Sequence, residues 1–517
     1  MVVTPNKEAT DIGLSVLEKG GTAVDAAIAV SFALSVLRPQ STGLGGGGFM
    51  LYYDKKEKKT TAFNFREFAP LKAKKEMFLG KGALSIAVPR FIAGLGDIYD
   101  KVASKKVPWP DLVQPSIDLA LTGFPVYPNL AQAIREKEAL LSNDRPSQQI
   151  FLPNGKLPKE GDIFLQKDLA KTLGVIAEKG WSGFYEGFVS YAIVKTVQRG
   201  GGLITVDDLW HVESIETTPI EGTYRGYKIV SMPPPSSGGV TLLETLNILE
   251  QFHFGKQLGG LKSRTVHIVT EAMRRAFLDR SRYLGDPNFV KIPVKGLLSK
   301  DYAKGLAESI QKSHSTPSNT LAPDKKLTGE SQSTVHFSIV DREGNAVAST
   351  QTINSLFGSG MVAEGTGVVL NNEMDDFSGE SEANTIEAWK KPLSSMAPTF
   401  VFNPKGELSM VLGSVGGPKI ISSVLQTLVN QIDFGVSPLT AVAAKRFHHQ
   451  YLPDELQIEE EIFTPPVANQ LKRMGHTIQS LSSHSTTPMG NVGLIKKIKK
   501  EWIGVADPRG EGVANGK

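Results

Sequence analysis

A change of character near residue 333 constrains the fold of this chain more than any other feature. Residues 311–333 read QKSHSTPSNTLAPDKKLTGESQS, polar, proline-containing and with almost nothing to bury, a composition that predicts a mobile segment. Thr334 then opens TVHFSIV, in which Val335, Phe337 and Ile339 alternate with Thr334, His336 and Ser338. That period predicts a half-buried strand, with DREGN (341–345) as a turn and AVASTQT as the returning strand. A mobile segment thus runs directly into a sheet, and a threonine stands at the junction.

The rest of the chain reads as mixed helices and strands. Residues 8–19 and 22–37 predict helices separated by Gly20-Gly21. Residues 43–48 lead into the apolar strand 49–53, and a charged turn (54–59) returns the chain to a second strand ending near Arg66. Further helices are expected at 110–122, 128–141, 166–179 and 183–199. The clearest is 264–283, where Val266, Val269, Met273, Ala276 and Phe277 share one face and build core.

With 517 residues the chain allows two or three domains or one large unit, and 40% hydrophobic with 21% charged residues is ordinary globular composition. A net charge of +4 spread over such a surface gives no reason to expect nucleic acid. There are no cysteines, which excludes disulfides, thiol nucleophiles and thiolate metal sites. No run of about 18 apolar residues occurs, so no spanning helix is expected. The start, MVVTPNKEAT, lacks the basic and apolar parts of a signal peptide, so the protein is either cytosolic or read here without a leader.

As a strand residue Thr334 is ordinary. As a nucleophile its hydroxyl is weak and needs a base. If the peptide bond before it is cut, its own α-amino group becomes that base, with a reference pKa of about 7.7–8.0. The β-methyl restricts χ1 and helps hold the hydroxyl in one direction.

The segment TVHFSIVDREGNAVASTQTINSLFGSGMVAEGTGVVLNNEMDDFS resembles the sequence that follows the processing site of γ-glutamyltranspeptidases. GGTAVDAAIAV, GLGGGGFML, NFREFAP, SMPPPSSGGV, KPLSSMAPT, GSVGGPKI, RFHHQYLPD and DPRGEG also have counterparts there, in order, over nearly the whole chain. The resemblance implies an α+β fold, the four-layer αββα sandwich of the N-terminal-nucleophile (Ntn) hydrolases. It also implies a precursor cut between Ser333 and Thr334 into a large subunit (1–333) and a small one (334–517) that stay together. No cofactor and no metal are expected. The implied partners are γ-glutamyl donors such as glutathione, and water, amino acids or peptides as acceptors. A family member read without its leader would be periplasmic or secreted.

The resemblance also assigns residues. Arg66 matches the arginine that binds the donor's α-carboxylate, a task its planar fork suits; otherwise it pairs with Glu67 or another carboxylate. Asn354, Glu373 and Asp376 match the positions that grip the α-ammonium; otherwise 373–376 is a solvated acidic loop, without the spacing of a calcium-binding EF-hand. Ser394 and Ser395 match serines that contact the carboxylate, and Thr352 a threonine that orients the nucleophile. Gly416 and Gly417 match an oxyanion hole, and a turn before a helix near Pro418 is compatible with that role.

Three signals point elsewhere and fail. GLGGGG (43–48) satisfies G-x-G-x-x-G, but it follows a helix and opens a strand, so it reads as a tight turn beside the site. His448-His449 reads as structural, since adjacent side chains diverge. His336 shares a strand face with Thr334 and supports the site without acting as its base.

Two departures matter. Only GESEANTIEAWK separates Ser378 from Lys391, where many bacterial members carry a longer lid; a more open pocket accepting bulky donors is expected. Val335 stands where threonine is common. Two rivals remain: a cephalosporin or glutaryl acylase of the same fold, and an uncleaved γ-glutamyl-binding relative.

Overall fold

The structure, a computed structural model, describes residues 1–75, 82–211, 215–255, 261–322, 333–378, 381–460, 462–481 and 489–516. Two antiparallel sheets stack face to face. The first runs, edge to edge, through Val513–Asn515, Val2–Thr4, Val335–Val340, Ala346–Thr352, Gly47–Asp54, Lys59–Phe65 and Glu216–Thr217. The second runs through Glu501–Ala506, Gly493–Ile498, Leu408–Gly413, Thr399–Phe402, Tyr227–Ser231 and Ile220–Tyr224. Phe49, Leu51, Val230, Phe400, Val411 and Ile495 belong to the apolar layer between the sheets.

Helices cover both outer faces and complete the expected αββα order. Over the first sheet lies Ala23–Leu37, AVDAAIAVSFALSVL, buried along its whole length. Its only charge, Asp25, accepts the Thr22 backbone N–H at 2.7 Å and the Ser104 hydroxyl at 2.6 Å on one carboxylate oxygen, which offsets part of the cost of burying it. Over the second sheet lie Gly238–Leu249, Ser263–Tyr283 and Lys419–Ile432.

Several expectations change in detail. Residues 128–141 form two helices, Pro128–Glu136 and Glu138–Ser142, broken at Lys137. Residues 183–199 form Ser182–Tyr185 and Gly187–Arg199, with Gly187 at φ 70° between them. The strand Val335–Val340 is buried on both faces rather than one. Val335, Phe337 and Ile339 meet the helical layer, while the polar alternates face the second sheet and satisfy one another. His336 Nδ1 lies 2.9 Å from Thr350 Oγ1, and its Nε2 lies 3.1 Å from Ser338 Oγ.

The polar stretch 311–333 is not uniformly loose. Its described first half is tied down: Ser318 Oγ donates to the Tyr451 carbonyl at 2.7 Å, and the Thr316 N–H donates to Glu271 at 3.2 Å. Residues 323–332 lie outside the described part of the chain.

Candidate active site

Thr334 stands immediately before the strand Val335–Val340, at one end of the space between the sheets. Across from it, Thr352 ends the neighbouring strand, paired so that Gln351 faces Val335. The Thr352 hydroxyl accepts the Asn354 N–H at 2.8 Å and donates to the Ser333 carbonyl at 2.8 Å. Accepting on one side directs its proton to the other, onto the carbonyl of the bond expected to be cut. Ser333 Oγ lies 2.9 Å from Ser41 Oγ.

Local backbone holds this arrangement. Asn354 adopts φ 75° and anchors its side-chain amide on the Asn372 carbonyl at 2.9 Å. A Cβ on Gly46 would come within 2.2 Å of the Thr352 carbonyl oxygen, so only glycine permits this approach. Residues 43–46 therefore form a tight turn beside the site, closed by the Gly46 N–H on the Gly43 carbonyl at 3.1 Å, while Gly47 and Gly48, expected in the same turn, already belong to the strand Gly47–Asp54.

Arg66 leaves the end of Lys59–Phe65 and is fully buried. Its Nη2 lies 2.5 Å from Asp376 and donates to the Leu393 carbonyl at 3.0 Å; its Nη1 lies 2.6 Å from Glu373 and 3.7 Å from Glu67. The Glu373 carboxylate makes no hydrogen bond of good geometry to Arg66, so that contact is coulombic. Three carboxylates surround one guanidinium. Burial pushes Glu67 up to about 8 against the pull of Arg66. Burial likewise drives Glu373 well above the carboxylate range, and Arg66 again opposes it. A cluster with more acids than cations keeps protons at neutral pH until another positive charge arrives.

Ser394, Ser395 and Gly417 join Arg66, Asp376, Asn354, Thr352, Ser333 and Thr334 around a cavity of about 20 Å³. Glu373 does not line it but stands behind Arg66, and Gly416 is the neighbour of the lining Gly417. Gly416 and Gly417 adopt φ 113° and 60° just before the helix Lys419–Ile432, and neither N–H donates to a described residue.

Sequence reasoning missed the supports. Arg280, on Ser263–Tyr283, donates to Ser395 Oγ at 3.0 Å and to Ser237 Oγ at 2.7 Å, holding the serine pair from behind. Asn371 donates to the Gly45 and Ala87 carbonyls at 2.7 and 2.9 Å and accepts the Glu373 N–H at 2.9 Å. Lys419, beside Gly416, is pushed down to about 8 by burial.

The histidines carry structure. Burial pushes His336 down to about 3, so it stays neutral. His448 and His449 are held near about 3 and about 4, also by burial, and hydrogen-bond Ser422, Gln450 and Asp454. His267, Glu271 and His476 place ligand atoms within 4.8 Å of one another, but Arg274 and Arg275 already engage Glu271 at 3.0 and 2.8 Å and oppose a cation there.

The family model described as gamma-glutamyltranspeptidase matches residues 9–517. The chain belongs to that family. It is 42% identical over 535 residues to the glutathione hydrolase proenzyme of Escherichia coli (strain K12), covering 98% of this chain and 90% of that one. A crystal structure of a cephalosporin acylase from Bacillus halodurans superposes with a TM-score of 0.89 at 29% identity, covering 99% of this chain and 94% of that one. Helicobacter pylori γ-glutamyltranspeptidase superposes with a TM-score of 0.58 at 38% identity, covering 63% of this chain and 96% of that chain.

Proposed function

We propose that this chain is a precursor that cuts itself between Ser333 and Thr334. Residues 1–333 and 334–517 then stay together, hydrolyse γ-glutamyl amides such as glutathione, and transfer the acyl group to water, amino acids or peptides. The observation that carries this reading is the hydrogen bond from Thr352 Oγ1 to the Ser333 carbonyl, 2.8 Å, beside the Thr334 side chain. A donor placed there polarises the carbonyl and steadies the oxyanion formed when Thr334 Oγ1 attacks it. The attack moves the acyl group from nitrogen to oxygen, and water releases the ester. The division into 1–333 and 334–517 is further supported by the Helicobacter pylori chain, which matches 63% of this one.

Once free, the Thr334 amine takes the hydroxyl proton during attack on the γ-carbonyl of the donor. Arg66, Ser394 and Ser395 receive the α-carboxylate. Asn354 and Asp376, with Glu373 behind, receive the α-ammonium, whose positive charge suits the acid-rich side of the cluster. The Gly416 and Gly417 N–H groups face the developing oxyanion. Thr352, released from the Ser333 carbonyl, orients the nucleophile.

A denaturing gel with N-terminal sequencing tests the cut. Bands of about 36 and about 20 kDa are expected from the 55.9 kDa chain, the smaller beginning Thr-Val-His-Phe. A single intact band after long incubation would refute it. Turnover of a γ-glutamyl anilide well above that of a glutaryl amide separates this reading from the acylase, because only the former carries the α-ammonium. The short segment between Ser378 and Lys391 further supports activity on long γ-linked donors; negligible activity on them relative to glutathione would defeat the open-pocket expectation.

A further inference from the structure

The residue before the expected cut is gripped at two points. Its carbonyl accepts the Thr352 hydroxyl at 2.8 Å, and its side chain lies against the turn that follows the helix Ala23–Leu37. Ser333 is buried, and its hydroxyl donates to Ser41 Oγ at 2.9 Å, with the Gln40 carbonyl a longer second acceptor at 3.3 Å. Among the described residues the Ser41 hydroxyl hydrogen-bonds Ser333 alone.

The turn that carries Ser41 is itself tied down. The Arg38 carbonyl accepts the Ser41 and Thr42 N–H groups at 2.8 and 3.1 Å, and the Gln40 carbonyl accepts the Phe357 N–H at 2.9 Å. The Ser41 carbonyl accepts the N–H of Ile353, the residue after Thr352, at 3.2 Å. The two grips on Ser333 therefore share one frame. Between the Ser333 side chain and its carbonyl oxygen lies one soft torsion, ψ, which turns the faces of the carbonyl and with them the line of attack. Holding both ends fixes that rotation.

We propose that Ser41 is a positioning residue for self-cleavage: by anchoring the Ser333 hydroxyl it keeps one face of the Ser333 carbonyl turned to the Thr334 hydroxyl. The inference rests on the self-cleavage reading above. Thr334 Oγ1 adds to the Ser333 carbonyl carbon, and the C–N bond breaks as the nitrogen takes the hydroxyl proton. Water then splits the ester into the Ser333 carboxylate and the Thr334 hydroxyl. Ser41 makes and breaks none of these bonds. It acts on alignment, to which an attack between adjoining residues is sensitive. The cut turns Ser333 into a chain end with no further part in the chemistry, so Ser41 serves the precursor and not the turnover of substrate.

The test follows the full chain made by cell-free translation, with synthesis stopped and the intact 55.9 kDa band chased on denaturing gels. Ser41→Ala is expected to lengthen the half-life of that band about threefold to tenfold, the worth of one net hydrogen bond. Ser333→Ala lengthens it to a similar degree, and the double variant is no slower than the slower single one, because both changes remove the same bond. Once fully cut, the Ser41→Ala enzyme hydrolyses γ-glutamyl-p-nitroanilide with kcat and KM within about twofold of wild type. Cleavage of Ser41→Ala at the wild-type rate, delays that multiply in the double variant, or a mature enzyme slowed as much as its precursor would each overturn the assignment. If wild type itself stays intact, the self-cleavage reading fails and takes Ser41 with it; if wild type cuts and Ser41→Ala keeps pace, only the role of Ser41 falls.

Discussion

Two of the arginine clusters buried among the described residues differ in their charge counts. Around Arg66 stand Glu67, Glu373 and Asp376, three acids to one cation. In the second cluster Arg274 and Arg275 face Glu271, and Arg274 also reaches Asp454, two cations to two acids. The balanced cluster is closed. Burial pushes Glu271 up, yet Arg274, Thr316 and Arg275 outweigh it and hold it below its ordinary value. The unbalanced one stays partly protonated, with Glu67 at about 8. A balanced cluster is a fastening; an acid-rich one has room for a ligand's positive charge.

Substitutions break or sharpen this contrast. Arg66→Met is expected to do the most damage: kcat/KM for a γ-glutamyl anilide falls by about 10³-fold or more, the loss of a buried charge-assisted recognition element. Arg274→Met leaves Glu271 with Arg275 alone, takes the arginine from Asp454, and lowers the stability of the uncut Thr334→Ala chain by about 3–5 kcal/mol, read from urea midpoints. Whatever enzyme it yields should keep the wild-type donor KM; a raised KM would mean the second cluster also belongs to the site. Ser318→Ala, which removes a hydroxyl between Arg274 and the Tyr451 carbonyl, costs about 1–3 kcal/mol by the same assay.

A further contrast concerns pH. A carboxyl whose folded pKa is raised binds more protons folded than unfolded, so its contribution to stability is lost as pH rises from about 4.5 toward about 8. Glu67→Gln removes that proton exchange, and the fall in urea midpoint between pH 5 and pH 8 should flatten. An unchanged slope would place the titration on Glu373 instead.

Local pattern carried much of the architecture. The two N-terminal helices, the 341–345 turn and the paired strands on either side of it stand where periodicity put them. Burial was misjudged where tertiary structure closes both faces: His336 and Ser338 look solvent-facing in sequence, and only the stacked second sheet makes them interior. The site residues were assigned by resemblance, and all of them except Glu373 and Gly416 line one cavity. Arg280 and Asn371 were not, because each acts through a carbonyl or hydroxyl more than a hundred residues away or across a turn. The firm hold on 311–322 was hidden for the same reason, since its partners include Tyr451 and Asp454.

The order of strands in the first sheet has a consequence for how such a protein can be made. Val2–Thr4 lies between Val513–Asn515 and Val335–Val340, and Gly47–Asp54 pairs with Ala346–Thr352. Neither 1–333 nor 334–517 can complete a sheet alone. A cut at residue 334 therefore turns one cooperative folding unit into two strands' worth of halves that must find each other. The intact chain is expected to refold at a rate independent of concentration, and the cut one with second-order kinetics that slow on dilution. Cleavage would thus act as a one-way latch, and the working lifetime of the mature molecule would be set by how slowly it unfolds.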